Sequence, residues 1–324
     1  MLIVQKFGGS SIADGDRLRR AAGICMRQRQ NGNEVVVVVS AMGDTTDLLA
    51  DRARVLGGKP SPREMDALIT TGEQQSAALL VMTMESLGIP ALSLAGWQAG
   101  IYTDCRYGDS DIRLIAPVRI REALSRGRVP VVTGFQGVCA AGDITSLGRG
   151  GSDTTAVALA AALESDCCEI YTDVDGIYTT DPRLIPDAVK LGAIDYRDML
   201  ALAEAGSQVL HAKSVELAMA NSVVIHLLSS FTDAPGSQVR ALRDGSRPDF
   251  AGITRSRASG EISLAGKAAD AAALSRAVLL LAAEGIEVLS GSAGSGRISV
   301  LVEEAERPRA MQLLHREMIL DALK

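Results

Sequence analysis

The run Glu34-Val35-Val36-Val37-Val38-Val39-Ser40 constrains the fold more than any other stretch of this chain. Consecutive β-branched residues disfavour a helix and leave no polar side for water, so the run reads as a strand buried on both faces. Such a strand needs a layer above it and a layer below it. The first 230 residues supply both, because strand and helix patterns alternate along them. Residues 2–7 form another buried strand, followed by Gly8-Gly9-Ser10-Ser11 and a helical pattern over 16–29. One long helical pattern covers 63–87, then come a short strand at 91–94, a helix over 111–126 and a buried strand over 129–135. Residues 138–146, with Gly142-Asp143 at their centre, read as a hairpin. An alanine-rich helix over 154–163, a strand at 169–172, helices over 196–205 and 207–220, and a strand over 223–228 complete the series. The expected fold class is α/β, with a mostly parallel sheet and helices on both faces.

Composition shifts after Ser230. Residues 232–250 carry Pro235, Gly236, Gly245 and Pro248 and read as a linker between a first domain, 1–231, and a second, 251–324. The second has strands over 262–265, 286–290 and 297–302 and helices over 270–284 and 307–318, with room for a short final strand. That βαββα order is the layout of a small α+β sandwich. Ile262 and Leu264 alternate with polar residues, as do Ile298, Val300 and Val302, so each strand is expected to bury one face. Leu274, Val278 and Leu281 give the first helix an apolar side to cover that sheet. A lone unit of this size exposes a strand edge, and pairing with the same unit of a second chain, a homodimer, is the expected remedy.

Composition also narrows the partners. Aromatic residues are only 3% of the 324, and the net charge is −6 with no basic cluster, which argues against nucleic acid. The cysteines, Cys25, Cys105, Cys139, Cys167 and Cys168, are odd in number and lack metal-ligand spacing, so they read as reduced thiols of a cytoplasmic protein. MLIVQKFGG has neither a basic leader segment nor a long apolar core, and no apolar stretch is long enough to span a bilayer.

Three glycine-bearing turns carry the chemistry. Lys6 ends the first strand just before Gly8-Gly9-Ser10, where backbone can approach a phosphate and the lysine can follow a moving phosphoryl group. Taken alone, that turn is equally a plain strand-to-helix connection. Leu147-Gly148-Arg149-Gly150-Gly151-Ser152-Asp153 sets an arginine among glycines at a helix start, fitting an anion site or a merely capped loop. Tyr171-Thr172-Asp173-Val174-Asp175-Gly176 ends a strand on an acidic turn, the place where open α/β sheets bind ligands. Asp173 and Asp175 lack the later glutamate of a calcium loop, so no protein-ligated metal is assigned. Glu73, in Thr71-Gly72-Glu73-Gln74, is either a solvated helix charge or a site residue.

Taken together, KFGGSS at Lys6, SAMGDTTD at Ser40, TTGEQ at Thr70, GFQG at Gly134, LGRGGSDTTA at Leu147, YTDVDGIYTTDPR at Tyr171 and VLHAKSVELA at Val209 resemble the aspartate kinase family over about 1–230. The resemblance implies an amino-acid kinase fold with a C-terminal ACT-like domain. It also implies ATP-dependent phosphorylation of the β-carboxylate of L-aspartate, a step towards lysine, threonine and methionine. It implies that Lys6, Gly8, Gly9 and Ser10 hold the ATP phosphates and that Asp153 orients Lys6. Thr46 and Glu73 would bind aspartate, Glu73 at its ammonium, and Arg149 would pair with the α-carboxylate, assisted by Ser152 and Phe135. Thr172, Asp173, Tyr178, Asp181 and Arg183 would surround the nucleotide, and Mg2+ would arrive with it. Another carboxylate substrate, or a non-catalytic nucleotide- or amino-acid-binding homologue, are the alternatives. Two departures stand out. Gln208 and Ala212 replace a usual lysine and proline, with Lys213 nearby. The C-terminal region has room for one ACT-like unit instead of two, and Ala268-Ala269-Asp270-Ala271 replaces the usual Pro-Gly effector turn, so weak or absent inhibition by lysine or threonine is expected.

Overall fold

The computed structural model describes residues 1–56 and 58–321. It divides into two compact units that interleave along the chain: residues 1–175 with 223–235, and residues 176–222 with 236 onward.

In the first unit, six strands form one parallel sheet in the order Ile225–Ser229, Cys167–Thr172, Leu2–Phe7, Glu34–Val39, Val129–Thr133 and Ala91–Leu94. Val35 to Val39 are all fully buried, as the valine run requires. On one face the helices Gly15–Gln30 and Thr71–Ser86 close a core that includes Phe7, Val35, Val37, Leu80, Met84 and Val131. Phe7 and Tyr171 stack there at 4.9 Å between ring centroids. The helix Gly151–Leu163 packs on the first strand from the other side. Side chains alternate along a strand, so Phe7 enters the first core while Lys6 faces that helix. Strand alternation thus decides that Lys6 points towards helix Gly151–Leu163.

Two expected elements differ, and a third element was not expected. The pattern over 63–87 is two helices, Pro62–Ile69 and Thr71–Ser86. The carbonyl of Thr70 accepts a hydrogen bond from the Gln136 side chain at 2.8 Å, and the Thr70 hydroxyl bonds back to the Asp66 carbonyl at 2.7 Å. These contacts compete with a continuous helical ladder. The pattern over 111–126 is a strand, Ile112–Ile115, and a helix, Val118–Ser125. Pro117 biases Ala116 away from helical dihedrals, and Ile112–Ile115 pairs antiparallel with Ile101–Thr103. Thr45–Arg54 is a helix with only Leu49 and Ala53 buried, too narrow a stripe to read from apolar spacing. The hairpin is as expected, Gln136–Cys139 with Ile144–Ser146.

In the second unit, helices Tyr196–Glu204 and Ala212–Asn221 precede the C-terminal sheet. The stretch 207–211 is not helical. The segment 232–250 contains a strand, Ser237–Val239, which pairs in parallel with Ala193–Ile194. The C-terminal sheet has four antiparallel strands in the order Gly252–Arg255, Ile262–Ala265, Arg297–Val302 and Val288–Gly294. Its extra strand precedes the βαββα series. Residues 316–320 are helical, so no final strand exists among the described residues, and residues 322–324 of the expected second domain lie outside them.

The strand Ile262–Ala265 is buried on both faces, contrary to the one-face expectation. Helices Ala271–Ala283 and Arg307–His315 close a core with Ile262, Leu264, Ile298 and Val300 on one side. Helix Tyr196–Glu204 packs on the other side, where Ser263 and Ser299 hydrogen-bond to each other at 2.7 Å. Val288–Gly294 is an exposed edge.

Candidate active site

Four segments of the first unit line one open cleft of about 650 Å³. They are the end of the first strand, the stretch from Ser40 into helix Thr45–Arg54, the helix pair that meets at Thr70, and the loop entering helix Gly151–Leu163. The cleft gathers Lys6, Gly9, Thr46, Glu73, Phe135, Arg149, Ser152 and Asp153, which come from widely separated motifs.

Lys6 Nζ lies 2.6 Å from Asp153 Oδ1, with side chains 10% and 15% exposed. This ion pair joins the first strand to the first turn of helix Gly151–Leu163. Asp153 sits in that turn and Gly150 is the residue before it. The glycines have local reasons. Gly148 and Gly150 both adopt left-handed conformations, which lets the loop reverse on either side of Arg149. A Cβ on Gly151 would lie 2.9 Å from the Phe135 ring, and one on Gly134 would lie 2.8 Å from Ser152. Phe135 itself has φ of 69°, an uncommon conformation for a non-glycine residue, held by its N–H donating to Thr155 Oγ1 at 3.1 Å. Arg149 is exposed and makes no ion pair or hydrogen bond among the described residues. Its guanidinium stands at the cleft with its donors open.

The first turn is equally tight. A Cβ on Gly9 would lie 2.6 Å from the Ala41 carbonyl oxygen, and the Gly43 N–H donates to the Gly9 carbonyl at 3.1 Å. The Gly8 N–H is already donated to the Tyr171 carbonyl at 3.1 Å, so of the amides in this turn it is committed to the fold. Ser10 follows on the same turn, its carbonyl accepting from Arg17 at 2.6 Å.

Glu73 is the most unusual group present. It is 3% exposed, and its Oε1 accepts from the Ala41 N–H at 3.0 Å. Its Oε2 is buried with no hydrogen-bond partner among the described residues. Burial pushes its carboxyl up to about 7, against the lowering effect of the Glu73 and Ala41 backbone groups. Helix Thr71–Ser86 can approach this closely because residue 72 is glycine: a Cβ there would meet Ala41 Cβ at 2.8 Å. The solvated-charge reading of Glu73 is thereby excluded.

Sequence reasoning missed Asp66. This carboxylate is 1% exposed and accepts from the Gly108 N–H at 2.9 Å, the Ser146 N–H at 2.8 Å and the Ser146 hydroxyl at 2.7 Å. It pins three segments of the cleft wall. The available signal was an aspartate on the otherwise apolar side of a helix, as in Met65-Asp66-Ala67-Leu68-Ile69.

The remaining assigned residues stand apart from that cleft's lining. Thr172 ends the strand Cys167–Thr172 and Asp173 follows it, with the Thr172 hydroxyl donating to Asp173 at 3.1 Å. Tyr178, Asp181 and Arg183 belong to the second unit. There the Arg183 guanidinium donates twice to Asp181, at 2.9 and 2.7 Å, and holds its carboxyl below the ordinary range. Gln208 is exposed, and Lys213 has a partner of its own. Among the described residues, no group of three or more His, Cys, Asp or Glu gathers to hold a metal ion, and no helix is long and apolar enough to cross a membrane.

One cleft of a parallel α/β unit thus holds an ion-paired lysine, a glycine-rich loop that carries an exposed arginine, and a buried carboxylate. The model of the amino acid kinase family matches residues 1–229, and the chain belongs to that family, among its aspartokinases. The aspartokinase of Mycolicibacterium smegmatis is 49% identical over 269 residues, 82% of this chain and 64% of that protein. The chain therefore spans less than two thirds of that relative. The aspartokinase of Corynebacterium efficiens is 44% identical over 325 residues, covering 97% of this chain and 77% of its own. E. coli aspartokinase III, solved in complex with aspartate and ADP, shares the fold, with a TM-score of 0.85 at 22% identity, over 98% of this chain and all of that one.

Burial of Glu73 has a consequence for stability. A carboxyl that titrates near 4.5 in the unfolded chain and near 7 in the fold binds its proton more tightly when folded. The fold thus loses stability as pH rises from about 4.5 through 7, and the whole penalty applies at pH 8. Glu73→Gln keeps the acceptor for Ala41 and removes the charge. It is expected to raise Tm at pH 8, with a gain on the order of 2 kcal/mol, and to change little at pH 5. Equal shifts at both pH values, followed by thermal melts, would contradict this account.

Proposed function

We propose that this chain is an aspartate kinase, transferring the γ-phosphoryl group of ATP to the β-carboxylate of L-aspartate to give 4-phospho-L-aspartate. The observation that carries the reading is the unpartnered buried oxygen of Glu73 in the same cleft as the unpaired guanidinium of Arg149. A zwitterionic amino acid needs one anion for its ammonium and one cation for its α-carboxylate. Glu73 Oε2 supplies the first, with Thr46 beside it, and Arg149 supplies the second, with Ser152 and Phe135 shaping the loop. The named aspartokinases above support the same substrate.

Lys6 then serves the transfer. Two anions approach in line, the β-carboxylate and the phosphoryl group, and a cation between them lowers the cost of that approach. Asp153 holds Lys6 in place at 2.6 Å. No general base is needed, since a β-carboxylate is already ionised at neutral pH. Gly8, Gly9 and Ser10 face the phosphates in this reading, and Thr172, Asp173, Tyr178, Asp181 and Arg183 are assigned to the nucleotide. Magnesium would come with ATP, held by phosphates and water, which suits a cleft without a protein-built cation cage. The domain assignment that goes with this is a catalytic domain over 1–231, a connecting segment over 232–250 and a single ACT-like domain over 251–324, in a cytoplasmic enzyme whose five cysteines are free thiols.

A coupled ADP-release assay with aspartate, glutamate and N-acetylglutamate side by side tests the substrate. Aspartate alone should sustain turnover. Faster turnover with either other acid would move the chain to a different substrate class, and ATP binding without turnover would make it a sensor. Lys6→Ala should lower kcat by roughly 10²–10³ while folding survives, because the lysine acts on transferring charge and not on packing. Retention of more than about a tenth of the wild-type rate would remove that role. Arg149→Lys should raise the aspartate KM strongly, since lysine keeps the charge but loses the two-pronged carboxylate geometry. An unchanged KM would place Arg149 away from substrate.

The exposed strand Val288–Gly294 supports the homodimer reading, because its outer edge has no neighbouring strand among the described residues and such an edge is a template for another chain. The stretch beside it offers few groups to grip an amino acid's ammonium and carboxylate, so inhibition by lysine or threonine should be weak. A monomer by light scattering at micromolar concentration would remove the dimer. A clear loss of activity in millimolar lysine or threonine would show an intact regulatory site.

A further inference from the structure

Thr179 is a knot in the second unit. Its N–H donates to the Val189 carbonyl at 2.9 Å, and its carbonyl accepts from the Ile253 N–H at 2.7 Å. Its hydroxyl accepts from the Val189 N–H at 3.0 Å and meets His315 Nε2 at 2.8 Å. Thr179 and His315 are each 1% exposed. The partners come from three places: the hairpin Ile177–Tyr178 with Lys190–Leu191, the first strand of the C-terminal sheet, and the last turn of helix Arg307–His315. The approach of that strand is close. A Cβ on Gly252 would lie 3.0 Å from the Thr179 carbonyl oxygen.

The position of this knot gives it a consequence. Thr179 directly follows Tyr178 and stands two residues before Asp181, whose two carboxylate oxygens accept from Arg183 Nε and Nη2. On the far side of the same loop, Ile185 is buried in the same core as Leu313 and Ile253. The loop that carries Tyr178, Asp181 and Arg183 is thus fixed at both ends by the C-terminal part of the chain. Burial lowers the His315 imidazole's proton affinity, opposed by Asp187, which favours the uncharged ring as the partner of Thr179.

We propose that His315, acting through the Thr179 hydroxyl, is a positioning residue for nucleotide binding by the Tyr178–Asp181–Arg183 loop. This rests on the reading of that loop as nucleotide-binding. It assigns the C-terminal unit a part in holding ATP that needs no effector.

Steady-state kinetics on the full chain test it, with ATP and aspartate varied separately. His315→Leu and Thr179→Val should each raise the ATP KM about five- to tenfold, the loss of one buried hydrogen bond, and leave the aspartate KM within about twofold. The double variant should be no worse than either single one. His315→Gln should restore the ATP KM, because its amide reaches the place of Nε2. If His315→Leu fails to fold, Thr179→Val carries the same test from the other side of the bond. Arg183→Ala is the benchmark. If it raises the ATP KM while His315→Leu and Thr179→Val do not, His315 has no positioning role and the nucleotide reading stands. If Arg183→Ala also leaves the ATP KM unchanged, the nucleotide reading of the loop falls and the proposal falls with it. Equal changes in both KM values, or no rescue by glutamine, would make the contact purely structural and overturn the proposal.

Discussion

A carboxylate buried with one oxygen unpaired costs a fold stability, and Glu73 is such a group. Nothing in the core requires it: the Ala41 N–H occupies Oε1, and Oε2 is left without a partner among the described residues. The surroundings are built to keep it there. Gly72 lets the helix close onto Ala41, Gln136 takes the Thr70 carbonyl and breaks the helix pair one turn before, and Asp66 pins the opposite wall. A site that stores an unsatisfied acceptor gains when a ligand donor fills it, and loses little when water leaves. In this account the ammonium of an amino acid is that donor.

The same reasoning explains why the glycines cluster where they do. Gly9, Gly134 and Gly151 sit where a Cβ would meet atoms of Ala41, Ser152 and Phe135 at under 3 Å, so they let chain segments converge on one cleft. Gly148 and Gly150 serve dihedral freedom instead, turning Arg149 outwards from a loop that must also start a helix. Lys6 is delivered by alternation along the first strand, and Asp153 by the first turn of that helix. Phosphoryl transfer needs positioned charge more than reactive side chains. In the proposed function, that charge is the Lys6–Asp153 ion pair, the Arg149 guanidinium and the buried Glu73 carboxylate.

Much of this was legible in the sequence. The valine run, the parallel strands of the main sheet, and a helix start just after Arg149 follow from local patterns that tertiary packing reinforces. Lys6, Glu73, Arg149 and Asp153 stood out by motif, and the cleft brings them together. What escaped depended on contacts far apart in the chain. The break at Thr70 comes from Gln136, which no local pattern reveals. Ile112–Ile115 is a strand because Ile101–Thr103 pairs with it. Asp66 looks like a stray polar residue until Gly108 and Ser146 are seen to bind it. The burial of Ser263 and Ser299 depends on helix Tyr196–Glu204, some sixty residues earlier than the first of them by the numbering. The interleaving of residues 176–222 with the C-terminal unit likewise has no signature in composition.

The central claim is that Glu73, as a carboxylate, receives the substrate's ammonium, and the pH dependence of the aspartate KM tests it most directly. Below about 7 the free protein holds Glu73 protonated, and above it the anion is present to meet the ammonium. The KM for aspartate, measured by ADP release from pH 5.5 to 8.5, should fall as pH rises through about 7 and then level off. The Glu73→Gln variant should show a raised KM without that inflection. A wild-type KM that is flat across this range, or an inflection that persists in Glu73→Gln, would contradict the account.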